Sequence, residues 1–120
     1  MSNSWTYRYD TGWVACSDWT NVHLGTTLDG NVTHNLNAPL PDLLVKVFVS
    51  TDGTDANSYE LPLMTDVGSD IGITVFQVDL NNVKVQTGSG GAGGVTSDAG
   101  AMATLDTEAY YYKVKVWYLG

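Results

Sequence analysis

A chain of 120 residues has room for one domain whose core needs neither metal nor disulfide. Its 43% hydrophobic content excludes wholesale disorder. Thirteen acidic residues against five basic ones give a net charge of −8, which argues against a nucleic-acid backbone or an anionic membrane as partner, since both need a basic patch.

The elements follow in chain order. Trp5 to Tyr9 alternates, with Trp5, Tyr7 and Tyr9 on one face. Gly12 to Cys16 reads as a second short strand, and Val22 to Leu24 and Asn31 to Leu36 as weaker ones around an Asp29-Gly30 turn. Leu43 to Ser50 is the clearest early strand, placing Leu43, Val45, Val47 and Val49 on one face and Leu44, Lys46 and Phe48 on the other. Ser58 to Met64 is broken by Pro62. Gly72 to Leu80 and Val83 to Thr87 flank an Asn81-Asn82 hairpin turn. Val95 to Thr107 holds at most one helical turn, near Ala101 to Leu105. Tyr110 to Leu119 is apolar on both faces and is expected to be a central, doubly covered strand. The expectation is a single all-β domain over 1–120, with the segment 1–10 available for assembly. The fold class is an antiparallel β-sandwich or jelly-roll-like barrel of about seven or eight short strands.

Candidate sites come from loops and aromatics. Gly88, Ser89, Gly90, Gly91 and Gly93 lie in a glycine segment that lacks the lysine and hydroxyl of a phosphate loop. It reads as a flexible surface loop able to contact a partner. Asp52 and Asp55, with Asp66 and Asp70, fall in two loops that lack an EF-hand pattern, so they read as turn formers and candidate binding residues, with no metal and no cofactor expected. His23 and His34 have no zinc-type spacing. His34 and Asn35 are expected to shape a backbone turn. Trp13 and Trp117 are the expected core tryptophans, and Trp5, Tyr7 and Tyr9 the expected interface. The single Cys16 reads as a small buried hydrophobe. No catalytic pattern is present, so a non-enzymatic role is expected. Met1 to Tyr9 lacks an apolar leader and no apolar run reaches the ~20 residues of a membrane span, so synthesis in a cytoplasm without membrane insertion is expected.

Asp10-Thr11-Gly12-Trp13, then Thr33-His34-Asn35-Leu36, then Pro39-Leu40-Pro41-Asp42 and the run Leu43 to Val49 carry a resemblance. Together they resemble a small β-module of bacteriophage virion proteins, found at tail-fibre tips and on other particle surfaces. The resemblance covers roughly the first half of the chain and the aromatic closing strand. It implies a virion location and a homotrimer bound to other virion proteins, either a fibre shaft or the major capsid protein. The implied work is host attachment as a receptor-binding tip. The alternatives are a capsid decoration (cement) protein and a carbohydrate-binding, lectin-like module that holds a host surface glycan.

Overall fold

The structure is a computed structural model and describes residues 7–95, 99–100 and 102–118. It is an all-β sandwich of 11 strands, more than the sequence pattern marks, because several are only two to four residues long. In chain order they are β1 (Tyr7–Asp10), β2 (Val14–Cys16), β3 (Val32–Thr33), β4 (Leu43–Ser50), β5 (Ser58–Leu61), β6 (Thr65–Asp66), β7 (Ile71–Asp79), β8 (Asn82–Thr87), β9 (Ala92–Val95), β10 (Met102–Leu105) and β11 (Tyr110–Tyr118).

The larger sheet runs β1-β11-β4-β5, with β2 also paired to β11. β4 lies along β11 from Tyr118↔Leu43 to Tyr111↔Ser50. β1 and β2 form one broken edge strand. Asp10 faces Lys115 and Val14 faces Tyr112, so the register slips by one residue between them. The slip sits in the Asp10-Thr11-Gly12-Trp13 segment. Gly12 takes φ +70, its N–H donates to Asp10 Oδ1 (2.7 Å), and Thr11 exchanges bonds with the Val114 backbone (3.0 and 2.9 Å). A left-handed residue favours glycine, and the bulge returns β2 to the sheet with Val14 against the core.

The second sheet runs β3-β8-β7-β6, and β9 and β10 form a separate hairpin. The region expected to hold a helical turn is instead strand β10, antiparallel to β9 from Met102↔Val95 to Leu105↔Ala92. Its small residues carry no period, and pairing with an equally plain strand decides the conformation. Val22 to Leu24 forms no strand beyond an isolated bridge of His23 with Gln86.

The core lies between the sheets. Val45, Val47, Val49, Tyr112, Val114 and Val116 from one side meet Val32, Ile73, Val83 and Val85 from the other. Each fully buried aliphatic chain of this kind contributes roughly 1.5–3 kcal/mol. The tryptophan at the centre is Trp19, which is fully buried, and not Trp13 or Trp117, which are both partly exposed. Trp19 packs edge-on to Tyr112 at 6.2 Å and donates its indole N–H to the Glu108 carbonyl at 2.9 Å. The loop between β2 and β3 delivers it, so no strand alternation marks it. β11 is central, as expected, but only its Tyr112, Val114 and Val116 face is buried. Lys113, Lys115 and Trp117 line a half-buried outer face that no other strand among the described residues covers.

The Thr33-His34-Asn35-Leu36 segment is a corner closed around the β7–β8 turn. His34 N–H and Asn35 N–H both reach the Asn81 carbonyl (2.9 and 3.3 Å), and Asn37 N–H reaches Asn81 Oδ1 (2.9 Å). Asn35 and Asn37 sit at φ 55 and 51, conformations that asparagine tolerates. A 3-10 turn at Leu40–Asp42 then leads into β4.

Candidate functional site

The outer face of the larger sheet gathers residues that are far apart in sequence. Directly opposed residues share a face. Trp117 therefore lies beside Leu44 and Arg8, Lys115 beside Lys46 and Asp10, and Lys113 beside Phe48, with Glu60 next across β5. Four of the five basic residues of the chain (Arg8, Lys46, Lys113 and Lys115) thus share this face. The lysines do not cluster in sequence, and only the register brings them together.

A groove of about 420 Å³ runs between Leu44, Lys46, Phe48, Glu60, Lys115 and Trp117. Phe48 and Lys115 also border a smaller hollow of about 120 Å³ lined by Trp13, Asp55, Ser58 and Lys113. The two form one trough along the sheet. Each lysine has a carboxylate partner. Lys113 lies 2.9 Å from Asp55, Lys46 3.4 Å from Glu60, and Lys115 3.8 Å from Asp10. Lys113 also lies over the Trp13 ring, 4.6 Å from its centre, and Lys115 stands 5.9 Å from the centre of Phe48. Asp55 accepts a second bond from the Trp13 indole N–H at 2.9 Å. The Lys113 ammonium first, and then this indole, hold its carboxyl below the usual carboxylate range. The trough therefore alternates flat apolar rings with fixed donors and acceptors, and its charges are paired. Such a surface suits a polyhydroxylated ligand that stacks one face on a ring and exchanges hydrogen bonds at its edge.

The residues proposed from sequence divide. Asp55 belongs to the trough. Asp52 turns inward on its own loop, accepting from Thr54 N–H (3.1 Å), Thr54 Oγ1 (2.7 Å), Ser50 Oγ (3.2 Å) and Asn57 Nδ2 (2.6 Å). Those bonds hold its carboxyl below the usual range, the Thr54 hydroxyl contributing most. Asp52 thus staples a turn.

The glycine segment is not a flexible loop. Gly88 N–H bonds the Gly72 carbonyl, Gly72 N–H the Gly91 carbonyl, and Gly90 N–H the Asp70 carbonyl, at 2.8–3.0 Å. A Cβ at Gly88 or Gly90 would collide with backbone oxygens of Ser69 or Asp70. Gly91 is buried at φ +106, and a Cβ there would collide with the Leu105 carbonyl. Gly93 lies within β9 opposite Thr104. From Gly88 to Gly93 only Ser89 is exposed. Gly88 and Ser89 border a shallow depression of about 290 Å³ with Asp66 and Asp70. The physical reason for the correction is that glycines let two backbones touch here, which fixes the segment.

Tyr9 faces Val116 and packs on the core, so it is turned away from the outer surface. Tyr7, on the edge strand, is paired through its main chain with Tyr118, and Trp5 lies outside the described residues. His34 is 3% exposed, and its Nδ1 accepts from Leu36 N–H at 3.0 Å, the geometry of a structural corner. Burial pushes its pKa down. Cys16 donates its thiol to the Asp18 carbonyl at 3.2 Å, and partial burial pushes the thiol pKa up, against a reactive thiolate. Among the described residues no group of three or more His, Cys, Asp or Glu side chains is placed to hold a metal ion. Sequence reasoning missed the trough. Its signal was the alternation of Lys46 with Phe48 and of Lys113 and Lys115 with Trp117, an amphipathic outer face on two long strands that turn out to be neighbours. Comparison with protein-family models, with curated proteins and with solved structures finds no match to this chain.

Proposed function

We propose that this chain is a non-enzymatic module on the surface of a phage particle, assembled as a homotrimer, whose work is attachment to a host surface saccharide. The motif resemblance supports the particle setting. The observation that carries attachment is the trough, where Trp13, Phe48 and Trp117 stand among paired lysines and carboxylates on a solvent-open sheet face. Rigid strands hold every one of these groups except Trp13 and Asp55, and those two are tied to each other and to Lys113. Little side-chain freedom is therefore lost when a ligand binds.

The test is binding of the purified protein to a panel of bacterial surface polysaccharides, to intact cells and to undecorated capsids. Saccharide and cell binding that falls about tenfold or more in Trp117→Ala, with melting nearly unchanged, is the expected outcome. Binding to capsids alone would establish the cement role instead. Saccharide binding that is indifferent to Trp117 and Phe48 would reject the trough.

A further inference from the structure

The second sheet ends in an open edge. β6 and the preceding Met64 cover β7 from Ile71 to Ile73, and among the described residues no strand lies beyond β7 from Val75 to Asp79. The bonds of β8 show which way the groups on that edge point. The Val85 carbonyl accepts from Leu24 N–H at 2.9 Å and Thr87 N–H donates to the Val22 carbonyl at 3.0 Å, so at these positions β8 turns its main chain away from β7. Antiparallel ladders alternate bonded and non-bonded pairs. Val75 and Gln77, opposite Val85 and Val83, therefore turn their N–H and C=O groups outward. Ile73 obeys the same rule, since its N–H reaches the Met64 carbonyl on the β6 side at 2.9 Å.

Open edges are normally blunted by lysine, proline or an inward charge. Ile71 to Val78 contains none of these, although the chain as a whole carries −8, and the one irregularity of β7, a register shift between Gln77 and Asp79, falls at the far end of that stretch. Of the eight exposed large apolar side chains among the described residues, six (Leu63, Met64, Val67, Phe76, Val78 and Leu80) lie on or beside β6 and β7.

We propose that β7 pairs with β7 of a second copy of this chain, antiparallel across a two-fold axis at Phe76. In that register Val75 of each copy lies opposite Gln77 of the other, so the outward donors and acceptors of both residues are satisfied. Phe76 meets Phe76 of the second copy as a close, non-hydrogen-bonded pair, the favoured arrangement for an aromatic cross-strand contact. Val78 lies opposite Thr74. The ladder ends there, because the outer edge of Ile73 is already taken by Met64, and no carboxylate of one copy opposes one of the other. This self-complementarity, along the uncharged stretch where two acidic copies approach without like charges, selects a second copy over a foreign strand. The pairing does not depend on the attachment reading. A trimer held through another surface would be joined to a second trimer by it.

The test uses the whole chain in a Cys16→Ser background. Phe76→Cys places two thiols at the axis, within the Cα separation that a disulfide spans. Leu28→Cys, on a fully exposed turn, is the control. Under mild oxidation the Phe76→Cys chain should form a disulfide-linked dimer about tenfold or more faster than the control. Phe76→Lys, which sets two ammonium groups face to face, should halve the solution mass of the parent. Its far-ultraviolet spectrum should not change, because Phe76 is 53% exposed. Equal cross-linking rates, or a parent mass that Phe76→Lys leaves unchanged, would overturn the pairing.

Discussion

Single residues carry the sharpest consequences of this fold. Trp19 fills the core with a satisfied indole, whereas Trp117 rests on the outer face. Trp19→Ala should therefore cost roughly 3–5 kcal/mol, and Trp117→Ala far less. Comparable denaturation midpoints for the two variants would contradict the assignment. His34 supplies a pH dependence. It is neutral in the fold, with its pKa depressed by burial from 6.5, and nearby Asp79 only partly offsets that. Below the unfolded value the unfolded chain binds the extra proton first. The stability contributed by neutral His34 is thus complete above pH 6.5 and is lost as pH falls through the lower folded value. Protonation at Nδ1 also removes the acceptor for Leu36 N–H. Thermal melting should decline below about pH 6.5 in the parent and decline less in His34→Gln, whose amide oxygen can accept the same bond. Parallel pH profiles for the two proteins would exclude His34 as the source. At the alkaline end, burial pushes the Tyr112 phenol up to about 12, consistent with its donation to the Gly25 carbonyl.

At the scale of elements, strands with one wet and one dry face were legible. β4 and β11 alternate because Val45, Val47, Val49, Tyr112, Val114 and Val116 enter the core while Lys46, Phe48, Lys113, Lys115 and Trp117 stay on the outer face. The hairpin at Asn81-Asn82 was legible from its turn residues. β9 and β10 were not, because alanine and glycine show no preference for either face. The glycine segment misled for a related reason. Glycine reads as freedom in a sequence, but here it permits backbone contact between Gly88–Gly91 and Asp70–Gly72. Gly91→Ala should consequently destabilise the fold by about 2 kcal/mol or more, combining a left-handed backbone with a collision. Ser89→Ala, beside it but exposed, should be neutral within about 0.5 kcal/mol. A melting temperature of Gly91→Ala equal to that of the parent would restore the flexible-loop view.

For the whole molecule, the sandwich was legible and the proposed binding face was not. Trp13, Phe48, Asp55, Lys113 and Trp117 come from four separate segments, and only the pairing of β11 with β4 and with the β1–β2 edge unites them. Asp55 was a candidate from its loop position, but its partners Trp13 and Lys113 could not be inferred from spacing. The account also separates two surfaces by chemistry. The outer face of the larger sheet is amphipathic with paired charges, and the edge of β7 is uncharged and apolar. Ligand binding through stacking and hydrogen bonds should depend only weakly on salt, since the charges of the trough are already paired. The measurement that tests the central claim most directly follows the indole N–H resonances during titration with the tightest-binding polysaccharide of the panel. The Trp13 and Trp117 signals should shift while Trp19, sealed against the Glu108 carbonyl, stays fixed. Unmoved Trp13 and Trp117 signals at saturating polysaccharide would contradict it.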